Sequence, residues 1–250
     1  MFDVKLWSVN VEHGERWWYA HVSELPGCFT RGETREEVLN ALPQEIDRHL
    51  SFLRERGRPS TETTKFLVAQ EIHGITELGE AGGAVAIFDT DERPVSEKDL
   101  ETFLELIKWN REELYGIVRH LPEEARDTRP IQDKWTINET LHHVANAEEW
   151  YISRLGEAIQ EECESYIERL DPSLQENDVF KRLAVTRQGA VHALRAVFSR
   201  GVRGTFTRAK YTRYPEERWT FRKVLRRFVE HEREHIGTIK LVVAALAKRR

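Results

Sequence analysis

At 250 residues and 29.4 kDa, the chain exceeds one small domain and fits two, at about 150 residues per domain. Hydrophobic residues make up 40% and charged residues 32%, and no apolar run approaches the ~18–20 residues that span a bilayer; these features exclude a membrane span and suggest a soluble cytoplasmic protein. Two separated cysteines, Cys28 and Cys163, exclude a disulfide scaffold, a zinc ribbon and a CxxC redox site.

The first elements follow a two-residue period. Phe2, Val4 and Leu6 alternate with polar neighbours, as do Trp17, Tyr19 and His21 with Trp18, Ala20 and Val22; both patterns predict strands. Leu25-Pro26-Gly27 breaks the second run, and a turn-prone stretch leads to Gly32. Thr34, with Glu37 three residues on, forms the capping-box pattern, and Val38, Leu42, Ile46, Leu50 and Leu53 keep helical spacing up to Gly57. Two more strand-like runs, 65–72 and 84–88, complete a small α+β domain over residues 1–94.

Beyond Ser96 the period changes to 3.6. Leu100, Phe103, Leu104, Ile107, Leu114, Ile117, Val118 and Leu121 form one apolar stripe that stops at Pro122. A second Thr-x-x-Glu box, Thr136 to Glu139, opens a helix through Leu141, Val144, Tyr151 and Leu155. Residues 156–178 are weakly periodic and suggest a long, partly helical connection. A third helix spans about 179–198, and a fourth runs from Trp219-Thr220 to the C-terminus. Four long amphipathic helices predict an all-α four-helix bundle over residues 95–250.

Charge is distributed unevenly. The net −5 divides into −7 over residues 1–98, −12 over 99–180 and +14 over 181–250. Adjacent acidic and basic stretches favour internal compensation over a nucleic-acid surface, so no nucleic-acid binding is expected at physiological salt.

Of ten histidines, His13, His21, His49, His73, His120 and His192 look isolated from other ligands. His142-His143 on the second bundle helix and His231/His235 on the fourth do not. His231 and His235, at i and i+4, project from one face with Cβ atoms about 5–6 Å apart, close enough to share one ion. They continue the stripe of Val224, Phe228, Thr238 and Val242, where polar rings need partners. The helical wheel does not choose between His142 and His143. His231-Glu232-Arg233-Glu234-His235 also spells HExxH, the zincin motif with Glu as base. That reading fails twice: 236–250 holds no His, Asp or Glu, and Gly237 stands two rather than three residues after His235.

Residues ~99–250 resemble the DinB/YfiT-like superfamily of metal-binding four-helix bundles. The carrying motifs are Trp135-Thr136 through His143-Val144-Ala145 and Trp219-Thr220 followed by His231-x-x-x-His235. The resemblance implies an up-down-down-up bundle and a metal triad of His143, His231 and His235, the Trp135 spacing selecting His143. It further implies a divalent ion such as zinc or nickel, and a metal-dependent enzyme, either a transferase or isomerase acting on a small-molecule substrate with a low-molecular-weight thiol or a hydrolase. A homodimer is the expected assembly.

The N-terminal run Trp18-Tyr19-Ala20-His21-Val22-Ser23-Glu24-Leu25-Pro26-Gly27-Cys28, continued by Gly32-Glu33-Thr34-Arg35-Glu36-Glu37, resembles HicB-type antitoxin domains. That likeness implies partner recognition, which would make the chain a binding or regulatory protein with a structural metal if the bundle were not an enzyme. Cys28 is expected as a turn residue.

Overall fold

The computed structural model describes residues 6–59, 62–172 and 178–248. The chain divides into two compact units: residues 1–93 with 207–218, and residues 94–206 with 219–250.

In the first unit, β1 (Trp7–Gly14), β2 (Trp18–Val22) and β3 (Phe29–Gly32) are consecutive antiparallel strands, and α1 (Arg35–Arg54) returns the chain so that β4 (Phe66–Ile75) lies parallel to β1. The sheet order is β3-β2-β1-β4. A parallel neighbour needs such a crossover, and α1 provides it. The Thr34–Glu37 capping box is present at the start of α1. Val38, Leu42, Ile46 and Leu50 are buried against Trp7, Val9, Val11, Ala20 and Val22. Between β2 and β3, the Cys28 amide donates to the Leu25 carbonyl at 2.9 Å with Gly27 at φ +86°, the conformation for which a Pro-Gly pair is suited in a tight turn.

The structure differs from the sequence reading at both ends of this unit. Phe2 and Val4 lie outside the described residues, and the first strand starts at Trp7. Residues 84–88 form no strand. Three of their amides are taken by side chains instead: Ala86 N donates to Glu12 Oε2 at 2.7 Å, Val85 N to Glu217 Oε1 at 3.1 Å and Phe88 N to Asp91 Oδ2 at 3.0 Å. The stretch that looked turn-prone is the edge strand β3.

The second unit is all-helical: α2 (Glu97–Val118), α3 (Glu123–Asp127), α4 (Ile137–Ser153), α5 (Glu157–Leu170), α6 (Val179–Ser199) and α7 (Phe221–Ala247). Capping boxes at Ser96/Asp99 and Thr136/Glu139 start α2 and α4. Helix α7 packs against α2 and α4, and α6 against α4 and α5. Leu114 and Val118, Ile137, Leu141 and Val144, Val179 and Leu183, and Ile236, Ile239 and Val242 form one core from four helices. Among the described residues, no helix is long and apolar enough to cross a membrane.

The connection expected after Gly156 is mostly the helix α5. It buries only Ile159, Cys163 and Ile167, one apolar side chain per turn, which is why its period is faint in the sequence. It docks closely on α6, since a Cβ at Gly189 would stand 2.5 Å from Ile167 Cγ1. Between α6 and α7 the chain leaves the bundle. Phe206 and Trp219 exchange backbone hydrogen bonds of 2.7 and 2.8 Å, and residues 207–218 belong to the first unit. There Arg213 pairs with Glu77 and Arg218 with Glu92, at 2.6 and 2.7 Å.

Candidate metal centre

Helix α4 opens at the Thr136 cap, and His143, two turns in, lies on its side facing α7. On α7 the i, i+4 spacing puts His231 and His235 on one face. The three rings meet. His143 Nε2 lies 2.9 Å from His231 Nε2, His235 Nε2 lies 3.1 Å from His231 Nε2, and one nitrogen from each ring falls within 4.8 Å of the others. Among the described residues this is the only group of three or more His, Cys, Asp or Glu so arranged. His142, its equal on the helical wheel, is not part of the cluster. All three rings are half-buried, so they lie at the edge of the apolar stripe rather than inside it, unlike Val224, Phe228 and Val242, which are buried.

Electrostatics keep the rings uncharged. Burial lowers the His143 pKa. Burial, with His235, His143 and Arg227 nearby, pushes His231 well below the usual histidine value. Burial, then His143 and Arg227, pushes His235 down to about 3. A neutral imidazole has one N–H and one lone pair. In the tautomer that turns each lone pair inward, the three would repel one another unless a cation lay between them, so the donor set fits a divalent ion. Nitrogens at 2.0–2.1 Å from a tetrahedral ion stand about 3.3 Å apart, near the separations found here.

Two aromatic rings flank the cluster. Tyr151, buried, meets His231 edge-on with ring centroids 5.7 Å apart. Trp135, on the opposite side of His143 in sequence, lies 4.8 Å from the His143 ring and 6.4 Å from His235.

Glu232, the base an HExxH protease would need, is committed elsewhere. Its Oε1 accepts from Arg111 Nε at 2.6 Å and its Oε2 from Arg187 at 2.8 Å. Glu148 on α4 closes the figure by accepting from Arg111 at 2.6 Å and from Arg187. The result is a buried ring of alternating charge with one residue from each of α2, α4, α6 and α7. Burial opposes the Arg111 charge, but Glu232 and Glu148 outweigh it and raise its pKa. Glu232 is likewise held ionised by Arg111 and Arg187 against its burial. Glu148 and Glu232 are both buried. The signal that was available is the coincidence of charged residues with core-facing positions on several helices.

Four histidines expected to stand alone do not. His21 pairs with buried Glu12 at 2.9 Å, His13 and His73 approach with Nδ1 atoms 3.4 Å apart, and His192 contacts Glu162 at 3.1 Å.

Among curated proteins, none matches the chain. One similar solved structure is YfiT from Bacillus subtilis, described as a probable metal-dependent hydrolase with an unusual four-helix bundle topology; it is 19% identical, covers 66% of this chain and 95% of its own, and superposes with a TM-score of 0.45. The family model of the DinB superfamily matches residues 106–239, a span that includes all three clustered histidines. That match covers more than half of the sequence, and the chain belongs to the DinB superfamily.

Proposed function

We propose that this protein is a metal-dependent enzyme in which His143, His231 and His235 hold one divalent ion, zinc or nickel, and in which a small-molecule substrate undergoes thiol-dependent transfer or isomerisation. The observation that carries the reading is the convergence of three uncharged imidazole nitrogens from two helices. When bound, the ion supplies Lewis-acid activation of a thiol or water nucleophile. Three protein donors are the number typical of a catalytic zinc site, whereas structural sites close with four. The core built from α2, α4, α6 and α7 is continuous without the histidines, which favours catalysis over a purely structural ion.

The thiol comes from solution in this reading. Cys163 is buried and burial pushes its thiol up to about 12. Cys28 is buried in the Leu25–Cys28 turn. The chain's own aromatic residues form the surroundings of the ion: the Trp135 ring lies beside His143 and the Tyr151 ring beside His231.

We assign a HicB-like recognition role to the first unit, residues 1–93 with 207–218, and the enzymatic role to the second, residues 94–206 with 219–250, in a cytoplasmic homodimer. The antiparallel strands flanking the Pro26-Gly27-Cys28 turn, followed by the capped α1, support the first assignment. The test is the metal content of tag-free protein, followed by a screen with bacillithiol-, mycothiol- and glutathione-type thiols. One bound ion whose coordination changes on adding a thiol is the expected result. A chain that unfolds on chelation and takes up no thiol is instead a binding protein with a structural metal.

A further inference from the structure

Trp135 is out of place for a residue of its type. It precedes the N-cap Thr136, the position from which an apolar side chain ordinarily packs on the fourth residue of the helix as a hydrophobic staple. That residue is Thr140, which is buried with its hydroxyl donating to the Thr136 carbonyl at 2.8 Å. No apolar staple partner exists at that position. The indole turns instead to the histidine cluster, its edge to His143 and its plane within 11° of the His235 ring, and stays 39% exposed.

The cluster has a closed side and an open one. Tyr151, eight residues after His143, is buried and covers His231. Trp135, eight residues before it, is the exposed flank. The histidines are half-buried, and the partly exposed indole lies beside two of them, His143 and His235. An exposed tryptophan face attracts flat apolar groups by area burial and ring stacking.

Resting on the reading of the triad as a divalent-metal site, we propose that Trp135 is the specificity wall of that site: the ligand presents a metal-binding head to His143, His231 and His235 and lays an attached flat apolar group, aryl or extended unsaturated carbon, against the indole.

The experiment uses the full chain loaded with Co2+, whose visible absorption reports changes in coordination. Three probes share one metal-binding head and differ in tail: acetohydroxamate (methyl), benzohydroxamate (phenyl) and glycine hydroxamate (ammonium). In the wild type, benzohydroxamate should bind at least about tenfold more tightly than acetohydroxamate, a difference of about 1.4 kcal/mol. Trp135→Ala should bring the two within about twofold while Co2+ affinity stays within about threefold, and Trp135→Phe should fall between. The intermediate Phe variant carries the test if the Ala variant does not fold. Equal binding of the two probes by the wild type, or a phenyl preference that survives Trp135→Ala, would overturn the proposal. So would loss of Co2+ in the Trp135 variants, which would make the indole a support for the imidazoles only. Glycine hydroxamate as the one probe dependent on Trp135 would overturn the apolar class in favour of a cation over the ring. A wild type that takes up no Co2+ refutes the metal reading itself, a failure distinct from metal uptake without tail selectivity.

Discussion

Arg111 and Glu232 meet inside the bundle with Nε and Oε1 2.6 Å apart, 121 residues separated in sequence. Glu232 is the neighbour of His231, yet both of its oxygens are engaged by guanidinium groups. Glu232→Gln should therefore cost stability, about 3–5 kcal/mol as for a broken buried pair, read as a lower urea midpoint. Metal-dependent activity per folded molecule should stay largely intact. A loss of ~100-fold or more, the scale of a general base, would return the HExxH reading to consideration.

The cluster geometry makes a prediction about occupancy. His143→Ala and His235→Ala should each weaken metal binding by more than about 100-fold, since even partners behind the ligands are worth 10–100-fold. His142→Ala should change it by less than about threefold, a minor effect on the same scale. Metal titration with a competing chelator separates these outcomes, and full retention by His143→Ala would remove His143 from the site.

Acid should destabilise the metal-free protein through the same rings. All three imidazoles have lowered pKa values when folded, His235 at about 3, against about 6.5 in an unfolded chain. Between those limits the unfolded state binds more protons, so the stability from keeping the rings neutral is present above pH ~6.5 and declines as pH falls toward 3. The slope is at most about 1.4 kcal/mol per pH unit for each histidine, and less for the more exposed His143. Urea midpoints at pH 7.5, 6 and 5, without metal, check it. A flat profile would show that the rings titrate normally.

Part of the +14 balance of residues 181–250 is met by acids inside the second unit. Arg182 pairs with Glu149, Arg195 with Glu101, Arg200 with Glu162, Arg222 with Asp99, Arg233 and Lys240 with Glu113, and Arg226 and Arg227 with Glu230. Most of these acids come from the −12 stretch. No appreciable binding to single- or double-stranded DNA or RNA is expected at about 150 mM salt. Submicromolar affinity with a steep salt dependence in an anisotropy titration would contradict this.

What could be read in advance was local. The capping boxes at Thr34 and Thr136 are both present, because a cap is decided by residues three apart. The i, i+4 relation of His231 and His235 is equally local. Choosing His143 over His142 needed the likeness to a family motif, since both positions can face a neighbour on a wheel. The features that were missed depend on distant partners: the 84–88 segment is diverted from a strand by Glu12 and Glu217, and the charge ring draws Arg111, Glu148, Arg187 and Glu232 from four helices. Helix α5 was faint for another reason, burying too few apolar side chains to leave a strong period.

The excursion of residues 207–218 has a hereditary consequence. The first unit is encoded in two places, one ahead of the bundle and one inside it, and the inner piece brings Arg213 to Glu77 and Arg218 to Glu92. Such a unit is not a cassette. Recombination at a single breakpoint near residue 94 would graft a foreign bundle onto an N-terminal piece deprived of these contacts, or leave this bundle with a loop shaped for an absent neighbour. Exchange of either unit intact needs three breakpoints, one near residue 94 and one on each side of 207–218.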